Sequence, residues 1–172
     1  MSYINIEIKA RTDRHDDIRK FLLENGAVFI GLDSQMDTYF NTNNGRLKLR
    51  QGEIENNLIY YNRQNIPGAK QSDFDLVAIE NGEKVKSILT QAMGVKIIVT
   101  KKREIYFIDN VKFHLDHLEG IGEFVEIEAS NKSIDITPEK LREQCNFYLR
   151  KFGIREEDLV PYSYSDILMG IS

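Results

Sequence analysis

The stretch "INIEIKAR", Ile4 to Arg11, alternates strictly between apolar and polar residues. On a β-strand, Ile4, Ile6, Ile8 and Ala10 point to one side, and Asn5, Glu7, Lys9 and Arg11 to the other. The apolar side explains itself as core. The other side mixes a carboxylate with two cations, and whatever it faces must accommodate both signs of charge.

The pattern recurs along the chain. In "GRLKLR", Leu47 and Leu49 oppose Arg46, Lys48 and Arg50. In "LIYYNR", Arg63 shares a side with Tyr61. Lys101 pairs with Arg103 in "VTKKR", His114 with Asp116 in "FHLDH", and Glu126 with Glu128 in "EFVEIEA". A wet face of an antiparallel sheet accounts for any one of these strands. For the whole set it is a weaker account. A sheet of about eight strands tends to curl or close, and its concave face has little room for bulk water. Charges gathered there either neutralise one another or await a ligand that needs both signs. A polyphosphate carrying a divalent metal is such a ligand: carboxylates hold Mg²⁺ or Mn²⁺, and Arg and Lys hold phosphate oxygens.

The rest of the sequence sets bounds. With 172 residues, 41% hydrophobic and 29% charged, the chain fits one domain spanning residues 1–172. No apolar run reaches the ~18 residues of a membrane span, and no signal peptide is recognisable at the N-terminus, so a cytoplasmic protein without a membrane partner is expected. Cys145 is the sole cysteine and reads as a small core residue. A net charge of −4 gives no general reason to bind nucleic acid.

Three helices interrupt the strands. "TDRHDDIRKFLLENGA" is capped by Thr12 or Asp13 and buries Ile18, Phe21 and Leu22. "GEKVKSILTQAMG" presents Val85, Ile88, Leu89 and Ala92. "TPEKLREQCNFYLRKFG" is capped by Thr137, with Pro138 at the first helical position and Gly153 past its end. His114 and His117 fall on opposite faces of a strand and read as ordinary, partly exposed histidines. Tyr162 and Tyr164 read as packing at a barrel mouth.

"NIEIK" resembles the E-x-E-x-K signature of the CYTH superfamily, the triphosphate tunnel metalloenzymes. "QMDTYF" and "GRLKLR" are similar to its next two strand motifs, and "LDHLEGIGEFVEIE" to its late acidic strands. "YSYSDILM" resembles its C-terminal tail, and "LIYYNRQNIPGAKQSDF" and "KIIVTKKREIY" resemble the class IV adenylyl cyclase branch in particular. The resemblance implies an α+β chain built on an antiparallel eight-stranded β-barrel, the triphosphate tunnel, with a few flanking helices. It implies metal ligands Glu7, Glu126 and Glu128 with Asp116 as a supporting acid. It implies that Lys9, Lys48, Arg50, Arg63, Lys70, Lys101 and Arg103 bind the substrate. Glu7, Lys9, Arg63 and Arg103 are then the catalytic set, and Mg²⁺ or Mn²⁺ the cofactor. The expected activity is conversion of ATP to cyclic AMP and pyrophosphate, the alternative hydrolysis of tripolyphosphate or thiamine triphosphate, and a homodimer is the family's expectation. One position departs from the signature. Asn5 stands where the first Glu belongs and brings no negative charge, which leaves open a third reading: a protein that binds nucleotide or polyphosphate without turnover.

Overall fold

The computed structural model describes residues 3–170; residues 1–2 and 171–172, the ends of the expected domain, lie outside the described residues. Eight strands form: β1 (Tyr3–Arg11), β2 (Val28–Phe40), β3 (Arg46–Gln51), β4 (Asn56–Arg63), β5 (Lys70–Ala78), β6 (Val95–Ile108), β7 (Val111–Leu118) and β8 (Gly122–Ser130). They close into an antiparallel barrel in the order β1-β5-β4-β3-β2-β6-β7-β8. β8 returns onto β1 through pairs running from Asn5↔Ser130 to Arg11↔Phe124, so the barrel has no free edge. Hairpin chemistry is local. Gly45, after β2, takes a φ of +64°, and a Cβ there would stand 2.6 Å from the Tyr60 hydroxyl. Asp109 adopts a φ of +50° between β6 and β7, a conformation Asp tolerates better than most residues.

The main apolar core lies outside the barrel. The outward residues Ile6 and Ile8 join Phe113, Leu115, Val125 and Ile127 of β7 and β8. Helices α1 (His15–Glu24) and α3 (Pro138–Lys151) cover this wall with Ile18, Leu22, Leu141 and Cys145. Truncating Ile6 or Ile8 to Ala is expected to cost about 2–5 kcal/mol. The polar side of β1 therefore faces inward. A smaller apolar cluster, including Tyr39, Tyr61, Val99, Phe124 and Tyr164, fills one end of the lumen. Tyr164 begins the short helix α4 (Tyr164–Leu168).

Helix α3 forms as expected: the Thr137 hydroxyl accepts from the Lys140 amide at 3.3 Å, with Pro138 in the first turn. Other expectations need correction. Helix α1 begins at His15, and neither Thr12 nor Asp13 caps it. Thr12 instead accepts from the Arg14 amide at 3.1 Å, a turn that spends its hydroxyl before the helix starts. Helix α2 (Gly82–Met93) forms, but it buries none of its residues, and Ile88 is 54% exposed. It rides the open flank of β2 and β3. Lys70 was expected in a loop. It opens β5, because Glu7 of β1 pairs with it directly. His114 is fully buried, contrary to expectation, whereas the His117 side chain is 52% exposed on the other face.

Candidate active site

The inward faces of the strands enclose a cavity of about 440 Å³. Glu7, Lys9, Lys48, Arg50, Arg63, Lys101, Arg103, Glu126 and Glu128 all line it, as does Asn5. Lys70 and Asp116 do not line it. Lys70 donates to the Pro161 carbonyl at 2.7 Å, and Asp116 is fully buried beneath Arg103. Eight Lys and Arg side chains line the cavity against six Asp and Glu. A chain of net charge −4 thus gathers an excess of cations inside its barrel.

The charges sort into clusters. Asp37 of β2 accepts from Arg50 of β3 at 2.9 and 2.8 Å and from Lys101 of β6 at 2.8 Å, with Lys48 at 3.7 Å. Across the lumen, Arg63 of β4 binds Glu7 of β1, and the Asn5 amide donates to the same carboxylate at 3.3 Å. The Lys9 ammonium sits 3.6 Å from the centroid of the Tyr164 ring. Arg103 spans Asp116, in two bonds of 2.7 Å, and Glu126 at 2.6 Å. Lys112 pairs with Glu55.

Burial sets the electrostatics. It pushes Lys9 and Lys101 down to about 7, against the pull of Glu126 on the first and of Asp37 on the second. Lys70 falls to about 8 for the same reason. Burial would raise Asp37 and Glu126, but their cations outweigh it. Arg50 and Lys101 hold Asp37, and Lys9 and Arg103 hold Glu126, well below the usual carboxylate range.

Three side chains of this site were not singled out from the sequence. Asp37 lay within the quoted "QMDTYF", and its alternation with Tyr39 was signal enough. Lys112 likewise alternates with His114 on β7, whose burial the sequence did not reveal. Glu55 carried no local signal. It sits in the β3–β4 turn, where the buried Asp33 carboxylate accepts the backbone amides of Glu53, Ile54 and Glu55 at 2.7–3.0 Å and fixes the loop.

The implied divalent cation can be tested against the donors. His114, Glu126 and Glu128 offer ligand atoms that all lie within 4.8 Å of one another. Both ring nitrogens of His114 are buried and without a hydrogen-bond partner. A neutral imidazole with two carboxylates suits a divalent ion, so the residues present fit it.

The two ends of the lumen differ. Residues 159–168 close one end: the Val160 amide donates to the Lys9 carbonyl at 2.9 Å, Arg46 pairs with Asp166 at 2.7 Å, and Tyr164 donates to Asp116 at 2.7 Å. The other end meets solvent at Asp109 and Lys132. It carries an aromatic collar of Tyr3, Phe74 and Phe107, with the Tyr3 and Phe74 rings edge-on at 4.3 Å; Phe74 and Leu76 also pack against the Tyr39–Tyr61 cluster and so continue the apolar lining along the lumen.

Comparison with known proteins agrees with this architecture. A Methanocaldococcus jannaschii protein described as a "putative adenylate cyclase" is 28% identical over 174 residues, covering 95% of this chain and 98% of its own. Adenylate cyclase CyaB of Aeromonas hydrophila is 28% identical over 101 residues, 58% of this chain and 52% of its own. The structure of the PH1012 protein from Pyrococcus horikoshii OT3 superposes with a TM-score of 0.80 at 26% identity, covering 94% of this chain and 98% of that one. The CYTH domain matches residues 3–164, nearly the whole chain, and the protein belongs to the CYTH family.

Proposed function

We propose that the protein is a metal-dependent enzyme that cyclises ATP to cyclic AMP and releases pyrophosphate. The observation that carries this reading is the polarity of the lumen. Its interior concentrates Lys9, Lys48, Arg50, Arg63, Lys101 and Arg103, and its solvent end offers the Tyr3–Phe74 collar beside Asn57 and Ser130. A bare polyphosphate uses only the first half. A nucleoside triphosphate uses both, with the base against aromatic faces and its polar edge near amide and hydroxyl groups.

In the reaction the ribose 3′-hydroxyl attacks the α-phosphorus, the bond to the bridging oxygen breaks, and pyrophosphate departs. The cations stabilise the charge that moves onto the leaving group, in a buried site where each interaction is strengthened. Arg63 and Arg103 are charged throughout and offer paired donors to phosphate oxygens. Lys9 and Lys101 become fully charged as the phosphates arrive. Glu126 and Glu128 would hold a divalent cation, which when bound would neutralise charge and lower the pKa of the attacking hydroxyl. The plug formed by Tyr164 and its neighbours keeps water from the closed end, which favours the ribose hydroxyl over water as nucleophile.

The test is product analysis. ATP, tripolyphosphate and thiamine triphosphate are each incubated with the protein and Mg²⁺ or Mn²⁺. Cyclic AMP and pyrophosphate from ATP are expected. Orthophosphate release without cyclic AMP would replace this reading with a triphosphatase. Asn5 favours a further reading, binding without turnover, because its neutral amide stands beside Glu7 where a carboxylate would add metal affinity. Tight binding of ATP with no product would establish it.

A further inference from the structure

The proposed function requires a divalent cation in the lumen, and the cluster on β7 and β8 bears on which one. We infer that His114 is itself a metal ligand, acting with Glu126 and Glu128, and that this nitrogen makes the site select first-row transition ions such as Mn²⁺ over Mg²⁺. The inference rests on the functional reading only for the presence of a metal in the tunnel.

His114 and Glu126 are direct cross-strand partners, so their side chains emerge on the same face. The His114 Nδ1 stands 3.8 Å from Glu126 Oε1 and 3.7 Å from Glu128 Oε1. These separations are too long for hydrogen bonds. Ligand atoms about 2.0–2.2 Å from one metal ion stand about 3–4 Å apart, which matches them. Among the described residues this is the one group of three His, Cys, Asp or Glu side chains with such convergence.

The second observation is independent of the spacing. His114 is 1% exposed, and neither ring nitrogen has a hydrogen-bond partner. An imidazole buried in this state loses the hydration of a donor and an acceptor with nothing in return. Coordination satisfies one nitrogen outright. Arg103 donates to this same Oε1 of Glu126 at 2.6 Å, and the second lone pair of that oxygen, with all of Oε2, remains for the metal. Arg103 and Lys112 flank the cluster from β6 and β7, and Lys9 approaches from β1. Two carboxylates and a neutral ring supply two negative charges against the ion's two positive ones.

Ligand type then decides selectivity. Mg²⁺ prefers an all-oxygen octahedron rich in water. Imidazole nitrogen favours transition ions, and Mn²⁺, the weakest binder of that series, still gains from it. Asp116 and Glu7 fall outside the proposed coordination group, since Arg103 and Tyr164 hold the first and Arg63 and Asn5 the second.

The full-length chain is loaded with Mn²⁺ alone and examined by electron spin-echo modulation, with and without ¹⁵N-histidine labelling. The chain has three histidines, so the double variant His15→Gln/His117→Gln, which alters only histidines outside the lumen, leaves His114 as the sole source of signal. Expected are a nitrogen coupling that changes on labelling and persists in the double variant, and tighter binding of Mn²⁺ than of Mg²⁺ in competition. His114→Asn removes the coupling and weakens Mn²⁺ by about tenfold or more, since losing even an outer partner of a ligand costs about 10–100-fold. Mn²⁺ bound without nitrogen coupling, a coupling lost in the double variant, or no Mn²⁺ bound at all would each overturn the assignment. None of these readouts uses turnover. Nitrogen coupling without any product from ATP or tripolyphosphate defeats the functional reading alone. Cyclic AMP formation without nitrogen coupling defeats the metal assignment alone.

Discussion

Arg50 grips Asp37 through two parallel hydrogen bonds of 2.9 and 2.8 Å, across directly paired positions of β3 and β2. Lys101 reaches the same carboxylate at 2.8 Å. Asp37 is therefore the anion that holds together cations that would otherwise repel. Asp37→Asn keeps the shape and removes the charge. Breaking a buried pair in this way costs about 3–5 kcal/mol. Tripolyphosphate should restore much of that loss, because it brings the missing negative charge. Thermal melts of both proteins, with and without tripolyphosphate, check this. Equal destabilisation in its presence and absence would show that the polyphosphate does not reach Asp37's cations.

Lys101 gives a pH dependence whose sign follows from its direction of shift. Burial lowers it from 10.5 to about 7. Below about 7 the ammonium is charged in both folded and unfolded chains, and the cost of burying it is fully present. Between about 7 and 10.5 the unfolded chain binds more protons than the folded one, so this residue's contribution to stability rises with pH. Anion binding reverses the shift. Tripolyphosphate should draw protons from buffer at pH 8 and bind more weakly as pH climbs. Calorimetry in two buffers of different ionisation enthalpy measures the uptake, and Lys101→Met should reduce it. Buffer-independent heats would contradict the prediction.

Asn5 points into the same space as Glu7 and donates to it at 3.3 Å. Asn5→Glu exchanges that hydrogen bond for a second buried carboxylate. The variant should melt at lower temperature without metal, because the two acids repel. Mn²⁺ should recover the difference and bind more tightly than in the parent. A Mn²⁺ titration followed by melting and by ATP turnover decides. A variant with unchanged metal dependence would mean that position 5 does not contribute to the metal's surroundings.

Among the described residues, Arg103 is the charged partner of the fully buried Asp116, which also accepts from the Tyr164 hydroxyl. Arg103→Met should destabilise the ligand-free protein by about 3–5 kcal/mol, since it strands a buried carboxylate. Arg103→Met combined with Asp116→Leu should be closer to the parent, as apolar replacement of a whole pair is often tolerated. Urea unfolding of the three proteins tests this. Additive destabilisation in the double variant would refute the coupling.

The sequence made the lumen legible because strand periodicity separates two faces without knowledge of the partners. Glu7, Arg50, Arg103 and Glu126 fall on the charged side by counting alone. Counting does not say what covers the opposite side. The apolar stripe of α2 looks as buried as that of α3, yet α3 packs on β1 and β8 while α2 stays bare. The position of Glu55 was hidden because Asp33, 22 residues away, shapes its loop. The turn at Thr12 hid the start of α1, since the same hydroxyl can cap a helix or close a turn before one.

Placing the main core against the outer wall divides labour within each strand. On β1, Ile6 and Ile8 anchor the fold, and Asn5, Glu7 and Lys9 between them meet the lumen. Neighbouring codons thus come under different selection. Change at the outward positions is penalised through packing, whatever the chemistry inside. Change at the inward positions alters which ligand is held while leaving the scaffold's adhesion intact, provided charge stays balanced. Substitutions at every second residue can therefore change what the lumen holds while the outer wall stays packed. A saturation library of β1 scored separately for folding and for anion binding should show two interleaved combs of tolerance, out of phase by one position.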